Sequence, residues 1–244
     1  MSFLKGIFFI SSIFTFRVSA SKKNNISFDY GVASGDPTSS NVILWTRVTS
    51  SLNQDIKIKW QISSTKDFKN ILNSGSALSK SLNDFTVKVD VNVPYNFRGK
   101  KIFYRFIYKD IYSDIGMTNT LPDNNPDKYN IAFCSCSNYP AGYFNAYREI
   151  AKNDEIDLVL HLGDYIYEYD KDGYATEDSI RFNRVVEPTH EIISLNDYRK
   201  RHAQYKSDKD LQLLHKSKPM IPIWDDHEFT NDSWKYGAEN HQRN

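Results

Sequence analysis

Apolar residues recur at every second position through much of the first half of the chain. Ile56, Ile58, Trp60 and Ile62 alternate with charged or polar residues, and Phe85, Val87, Val89, Val91 and Val93 repeat the pattern. A period of two places one apolar row on one face of a strand. Val42 to Val48 and Lys101 to Lys109 read as further strands. Gly35-Asp36-Pro37, Asn73-Ser74-Gly75, Pro94 and Gly99 separate these runs and read as turns. Short alternating strands at this spacing predict an antiparallel β-sandwich over residues 27–121.

A polar, proline-bounded stretch at 122–128 reads as a linker. Beyond it, over residues 129–244, the period changes. Tyr129 to Phe133 is a short apolar strand, and Tyr143 to Lys152 carries Phe144, Tyr147, Ile150 and Ala151 at helical spacing. Ile156 to Leu162 is nearly continuous in apolar residues, as a strand covered on both faces would be. Ser194 followed by Asp197 predicts a capping box opening a helix to about Lys206, and Asp208 opens another that ends before Pro219. Met220 to Trp224 is a third apolar run, and Pro222 within it predicts an edge position or a bulge, because proline cannot donate to a ladder. Strand, helix, strand, helices, strand is an α/β order.

Balanced charge, 31 basic against 30 acidic residues, gives no reason to expect nucleic acid or an anionic membrane as partner. The first twenty residues read as a signal peptide: Lys5, an apolar Gly6–Phe16, then Val18-Ser19-Ala20 at the cleavage site. An uncleaved anchor or a buried strand is the other reading, but this run falls short of the ~20 residues a membrane span needs. Without twin arginines, the general secretory route is expected, with the mature chain periplasmic or extracellular. The two cysteines, Cys134 and Cys136, are two apart in a strand and badly placed to bridge, so at least one thiol is expected to stay free.

Each strand of the second part runs into residues that bind metals: Cys134-Ser135-Cys136, then Gly163-Asp164-Tyr165-Ile166-Tyr167, then Asp225-Asp226-His227-Glu228. Strand ends line the crevice of an α/β sheet, so three distant segments are predicted to meet. Asp164 can bridge two cations, and Gly163 allows a tight turn. Tyr167 as phenolate and Cys136 as thiolate suit a trivalent iron, and oxygen ligands suit a harder divalent partner. Taken singly, each has an ordinary reading: a turn with a packed tyrosine, an inert thiol, a solvated acidic loop. Together they favour a site, since burying several carboxylates without a cation is costly. His161 reads as a core residue, and His190, His202, His215 and His241 as structural or exposed. Arg199 or Arg201 is a weaker candidate to meet substrate phosphate.

At these residues the chain resembles the PhoD-like alkaline phosphatases and phosphodiesterases. "FDYGVASGDPTSSNVILWTRV" and "DIGMTNTLP" resemble the start and end of that family's N-terminal sandwich. "FCSCSNYPAGYFNAY", "DLVLHLGDYIYEY", "LNDYRKRHAQYKSDKDLQLLH" and "WDDHEFTNDSWKYGAENHQ" resemble successive segments of its catalytic domain. Gly163-Asp164-x-x-Tyr167 is also similar to the metal motif of purple acid phosphatases. The resemblance implies a sandwich followed by an α/β metallophosphatase domain, and an exported hydrolase of phosphomonoesters, with diesters as a further substrate class, holding iron(III) and calcium. It implies Cys136 and Tyr167 on iron, and Asp164 bridging to the second metal. Asp226 would hold that second metal, where related metallophosphatases place an asparagine, with Asn231 as a further ligand. His227 would lie near the leaving group. The family's catalytic domain continues beyond the point matched by Asn244 and supplies more Asp and His ligands, so the chain reads as the sandwich plus the first half of that domain. The alternatives are an inactive fragment and an exported sandwich that acts as a binding module. A nuclease is disfavoured by the neutral charge.

Overall fold

In the computed structural model, residues 26–52, 54–122 and 125–239 are described. The segment read as a signal peptide lies outside them, as does His241. The first part consists of β1 (Ile26–Ser27), β2 (Val32–Gly35), β3 (Asn41–Arg47), β4 (Thr49–Ser50), β5 (Ile56–Ser63), β6 (Ile71–Ser79), β7 (Thr86–Asn92), β8 (Ile102–Tyr108), β9 (Ile111–Tyr112) and β10 (Gly116–Thr118). One sheet has the order β10-β8-β5-β6, with β9 beside β8, and all its pairs are antiparallel. Its inner face brings Ile58, Ile62, Ile102, Tyr104 and Phe106 against Val42, Leu44, Val87 and Val91 of the facing strands, all buried in one cluster. Each such aliphatic side chain contributes ~1.5–3 kcal/mol on burial.

The alternating runs thus became strands as expected, but Asn73-Ser74-Gly75 is not a turn. It lies in the middle of β6, an edge strand paired with β5. Gly75 faces Trp60, and a Cβ there would come within 2.6 Å of the indole. The glycine makes room for a ring.

The second part adds β11 (Ile131–Cys134), α1 (Asn145–Lys152), β12 (Leu158–His161), α2 (Leu195–Ser207), α3 (Lys209–Ser217) and β13 (Pro219–Pro222). Ser194 caps α2 in the expected capping box with Asp197. The Asp208 carboxylate caps α3, accepting from the Asp210 and Leu211 amides. Strands β11, β12 and β13 pair in parallel, and β13 then pairs in parallel with β2 of the first part, giving a single sheet of order β11-β12-β13-β2-β3-β7. One layer of the sandwich and the α/β sheet are therefore continuous, which the sequence reading of two units joined by a linker did not foresee. Pro222 accordingly ends a central strand, neither at an edge nor at a bulge. The Ile223 N–H donates to the His161 carbonyl at 2.9 Å. Successive strand amides point to opposite sides, so proline's missing donor faces the β2 side, beyond the last β13–β2 pair at Met220 and Gly35.

One face of β11–β13 is covered by the cluster of Tyr147, Val159, Ile166, Tyr205, Leu211, Leu214 and Met220. On the other face Phe133 of β11 is 71% and Ile223 beyond β13 52% exposed, while Leu158 of the middle strand is buried and Leu160 partly so; β12 is therefore covered on both faces as expected, and its neighbours are open on one. No helix among the described residues is long and apolar enough to cross a membrane.

Gly35 sits at the seam, where an added Cβ would lie 2.5 Å from the Met220 carbonyl oxygen. Gly35→Ala should destabilise the protein by about 1–3 kcal/mol, read as a lower urea midpoint with unchanged slope. An unchanged midpoint would show that the two parts are not welded there.

Candidate metal centre

Beyond β11 and β12 the two chains stay zipped together. The Leu162 N–H donates to the Cys134 carbonyl at 2.8 Å, Cys136 N–H to Gly163 at 3.3 Å, and Ser137 N–H to Asp164 at 3.0 Å. Cys136 and Asp164 both have left-handed backbones, with φ of 58° and 53°. That conformation is uncommon outside glycine and most unusual for a cysteine. Gly163 has φ of 99°, and a Cβ on it would sit 2.5 Å from that of Asp225. It therefore serves the tight turn expected of it and also lets the segment after β13 approach.

Three strand ends meet here. Asp164, Asp226 and His227 each offer one ligand atom, and these atoms lie within 4.8 Å of one another. The Asp164 carboxylate is buried. Its Oδ2 accepts from the Tyr167 hydroxyl at 2.9 Å, while its Oδ1 is buried with no hydrogen-bond partner. Burial pushes the Tyr167 phenol well above its usual value, and Asp164 and Cys136 beside it push the same way. Cys136 is a free, exposed thiol bordering a groove of about 350 Å³ that Tyr167, Tyr143 and Tyr174 also line. Cys134 is free as well, and burial raises its thiol to about 11.

Two carboxylates hold these pieces together: Glu168, to which no role was assigned above, and Glu228, grouped there with the metal-binding residues Asp225, Asp226 and His227. Glu168 is fully buried; its Oε2 lies 2.8 Å from His227 Nδ1, and its Oε1 accepts the Asn231 N–H at 2.6 Å. Glu228 accepts the Tyr165 N–H on Oε1 at 2.5 Å, and the Asp164 and Asp225 N–H groups on Oε2 at 3.1 and 2.7 Å. The available signal was an acid inside a tyrosine-rich run, where burial demands donors.

Asn231 reaches the site through its main chain, and its side-chain amide donates to Glu239. Arg201 does not face the crevice. It is fully buried, and four of its five N–H groups donate to the carbonyls of Tyr167, Tyr169, Glu187 and Pro188, so its charge is held inside the fold. Its charge fastens an irregular segment. Arg199 donates to the Leu82 carbonyl and lines a cavity of about 750 Å³ that Trp224, Glu228 and Phe229 also line.

A model of the PhoD-like phosphatases matches residues 131–244, and a model of their N-terminal domain matches residues 15–122. The chain belongs to the PhoD-like phosphatase family. Alkaline phosphatase D of Bacillus subtilis (strain 168) is 37% identical over 238 residues, a match covering 93% of this chain and 40% of the relative. A solved structure of PhoD is 38% identical, with a TM-score of 0.77, covering 84% of this chain and 40% of that one. The chain spans 40% of the length of each relative. The PhoD-like architecture, an N-terminal β-rich domain followed by part of an α/β domain, is the one described above.

Beneath this PhoD-like site lies a buried polar layer. His161 Nε2 meets the Tyr147 hydroxyl at 2.9 Å and Ser137 Oγ at 3.4 Å. His215 Nε2 meets the Tyr165 hydroxyl at 2.7 Å, and Lys206 donates to the same hydroxyl at 3.0 Å. Burial, with Lys206 adding to it, lowers His161 to about 4 and holds His215 well below its usual value. An unfolded chain takes up these protons near pH 6.5. The stability that comes from keeping both rings neutral is complete above that pH and is lost as pH falls from about 6.5 toward 4. The urea midpoint should drop through this window, and His161→Gln should flatten the drop. An equally steep profile in that variant would exclude His161 as a source.

Proposed function

We propose that the protein is an exported phosphoester hydrolase of the alkaline phosphatase D type, acting on phosphomonoesters and also on diesters, with iron(III) and calcium as its cations. The observation that carries this reading is the Asp164 carboxylate, buried where two ligand sets meet, with one oxygen taken by Tyr167 and the other unpaired. Leaving such an atom unsatisfied costs about 1–3 kcal/mol, and a cation removes that cost.

The donors on the two sides of Asp164 differ in kind. Cys136 and Tyr167 offer sulfur and phenol oxygen. The Tyr167 phenol is held protonated by burial, so only a strong Lewis acid ionises it near neutrality; that pairing suits iron(III). Asp226 offers carboxylate oxygens, which suit calcium, and Asn231, whose N–H₂ group turns to Glu239, would add its amide oxygen. Bound cations supply Lewis acidity toward the phosphoryl group and lower the pKa of water. With Arg201 spent on carbonyls, phosphate binding would fall to the cations themselves.

His227 donates the proton that the departing alkoxide needs. Glu168 at Nδ1 fixes its orientation. Export rests on the leader-like first twenty residues.

Loaded with iron(III) and calcium, the protein should show a visible charge-transfer band, and Tyr167→Phe should abolish it. A colourless iron complex would overturn the phenolate assignment. Failure to hydrolyse any ester in addition would favour the exported binding module. His227→Ala should slow an alkyl phosphate by about 10²–10⁴-fold and an activated aryl phosphate far less. Equal losses on both substrates would move His227 from proton donor to cation ligand.

A further inference from the structure

The main-chain bonding around the site is lopsided. Past the ends of β11 and β12, main-chain bonds continue as far as Asp164, through Leu162 to Cys134, Cys136 to Gly163 and Ser137 to Asp164. Between β12 and β13 the main-chain bonding stops at Ile223 and His161 among the described residues. The Asp225–Asn231 segment carries Asp226 and His227, yet no such ladder ties it to the Asp164 turn. Two carboxylates bridge the gap from opposite sides: Glu168 meets His227 Nδ1 and accepts the Asn231 N–H, and Glu228 accepts from Asp164 and Tyr165 across it and from Asp225 on its own segment.

We infer that Glu228 is a positioning residue, a clasp that sets the distance between Asp164 and Asp226 and thereby builds the site of the second, oxygen-liganded cation. It is not itself a ligand. Both oxygens are already taken by backbone N–H groups, and Asp164, Asp226 and His227 form the close cluster without it. An anionic acceptor is needed because amides from two segments converge on one point. A glutamine offers a single acceptor oxygen and turns an N–H₂ group toward one of those donors.

The lopsidedness gives the clasp a specific signature. Cys136, Asp164 and Tyr167 belong to the β11 and β12 ends, which the main chain holds together without Glu228. Asp226 belongs to the segment that Glu228 holds. Loss of the clasp should therefore weaken the calcium side while sparing the iron side. The inference rests on the two-cation reading above, so its test includes a measurement that needs no metal.

In the metal-free protein, amide hydrogen exchange at Asp164, Tyr165 and Asp225 should speed up at least about tenfold in Glu228→Gln and further in Glu228→Ala, with exchange in β12 and α3 unchanged. Unaltered exchange at the three amides would overturn the clasp, and faster exchange throughout would reduce it to general stability. In the loaded protein, Glu228→Gln should weaken calcium binding by about 10–100-fold and leave the position and intensity of the visible band in place. If band and calcium affinity fall together, the selective role is wrong. A wild-type protein that shows neither band nor calcium binding would sink the two-cation reading, and the clasp would then stand or fall on exchange alone.

Discussion

Parallel pairing of β11, β12 and β13 is the constraint on which the site depends. The ladder fixes Cys134 opposite His161 and His161 opposite Pro222, so three chains leave the sheet at the same height and in the same direction. The residues that follow are neighbours whatever their separation in sequence. β12 is the middle strand, and Asp164, which follows it, is the group that faces both flanking segments. A carboxylate between the two could not be placed so from either flanking strand. The helices on one face support this arrangement from below, through Tyr205, Leu211 and Leu214 in one buried cluster with Val159, Ile166 and Met220.

Three acids at this end of the sheet, Asp164, Glu168 and Glu228, are treated in two ways by the fold. Glu168 and Glu228 are supplied with donors and become structural. Asp164 keeps one oxygen unpaired. Arginines do the opposite work nearby, where the chain between β12 and α2 has little regular structure. Arg201 gathers four carbonyls there. Arg184 pairs with Asp208 at 2.6 Å, both buried, and lies over the Tyr139 ring. Deleting one partner of a buried pair costs ~3–5 kcal/mol, so these charges are as much part of the framework as the apolar core.

Much of this was legible in the chain. Period-two patterning marked β3, β5, β7 and β8, because each shows one face to a dry core, and capping residues marked α2 and α3. The approach of the segments carrying Cys136, Asp164 and Asp226 could be anticipated from strand ends alone; in the structure Asp164 and Asp226 join His227 in one close group, and Cys136 lies at its border beside Tyr167. The edge strand β6 was hidden, because a half-exposed strand needs no apolar row and its glycine answers to Trp60 on the neighbouring strand. The β13–β2 pairing was hidden too, since a ladder between distant segments leaves little mark on the composition of either. Arg201 was misjudged because helix position says which residues share a face but not what covers that face. Glu168 and Glu228 stood in plain view within the motifs, yet a carboxylate that takes backbone amides has the same letter as one that takes a cation.

The continuous sheet bears on how the molecule can come apart. If the sandwich were tethered only by the 122–128 stretch, a protease cutting there would release two separable bodies, and the bodies could hinge about the tether. Here the β13–β2 seam bypasses the tether. A cut in that stretch would leave a nicked molecule whose halves co-migrate under native conditions and part only in denaturant. The crevice, for the same reason, has a rigid floor, and any opening or closing around a substrate must be done by the loops above it.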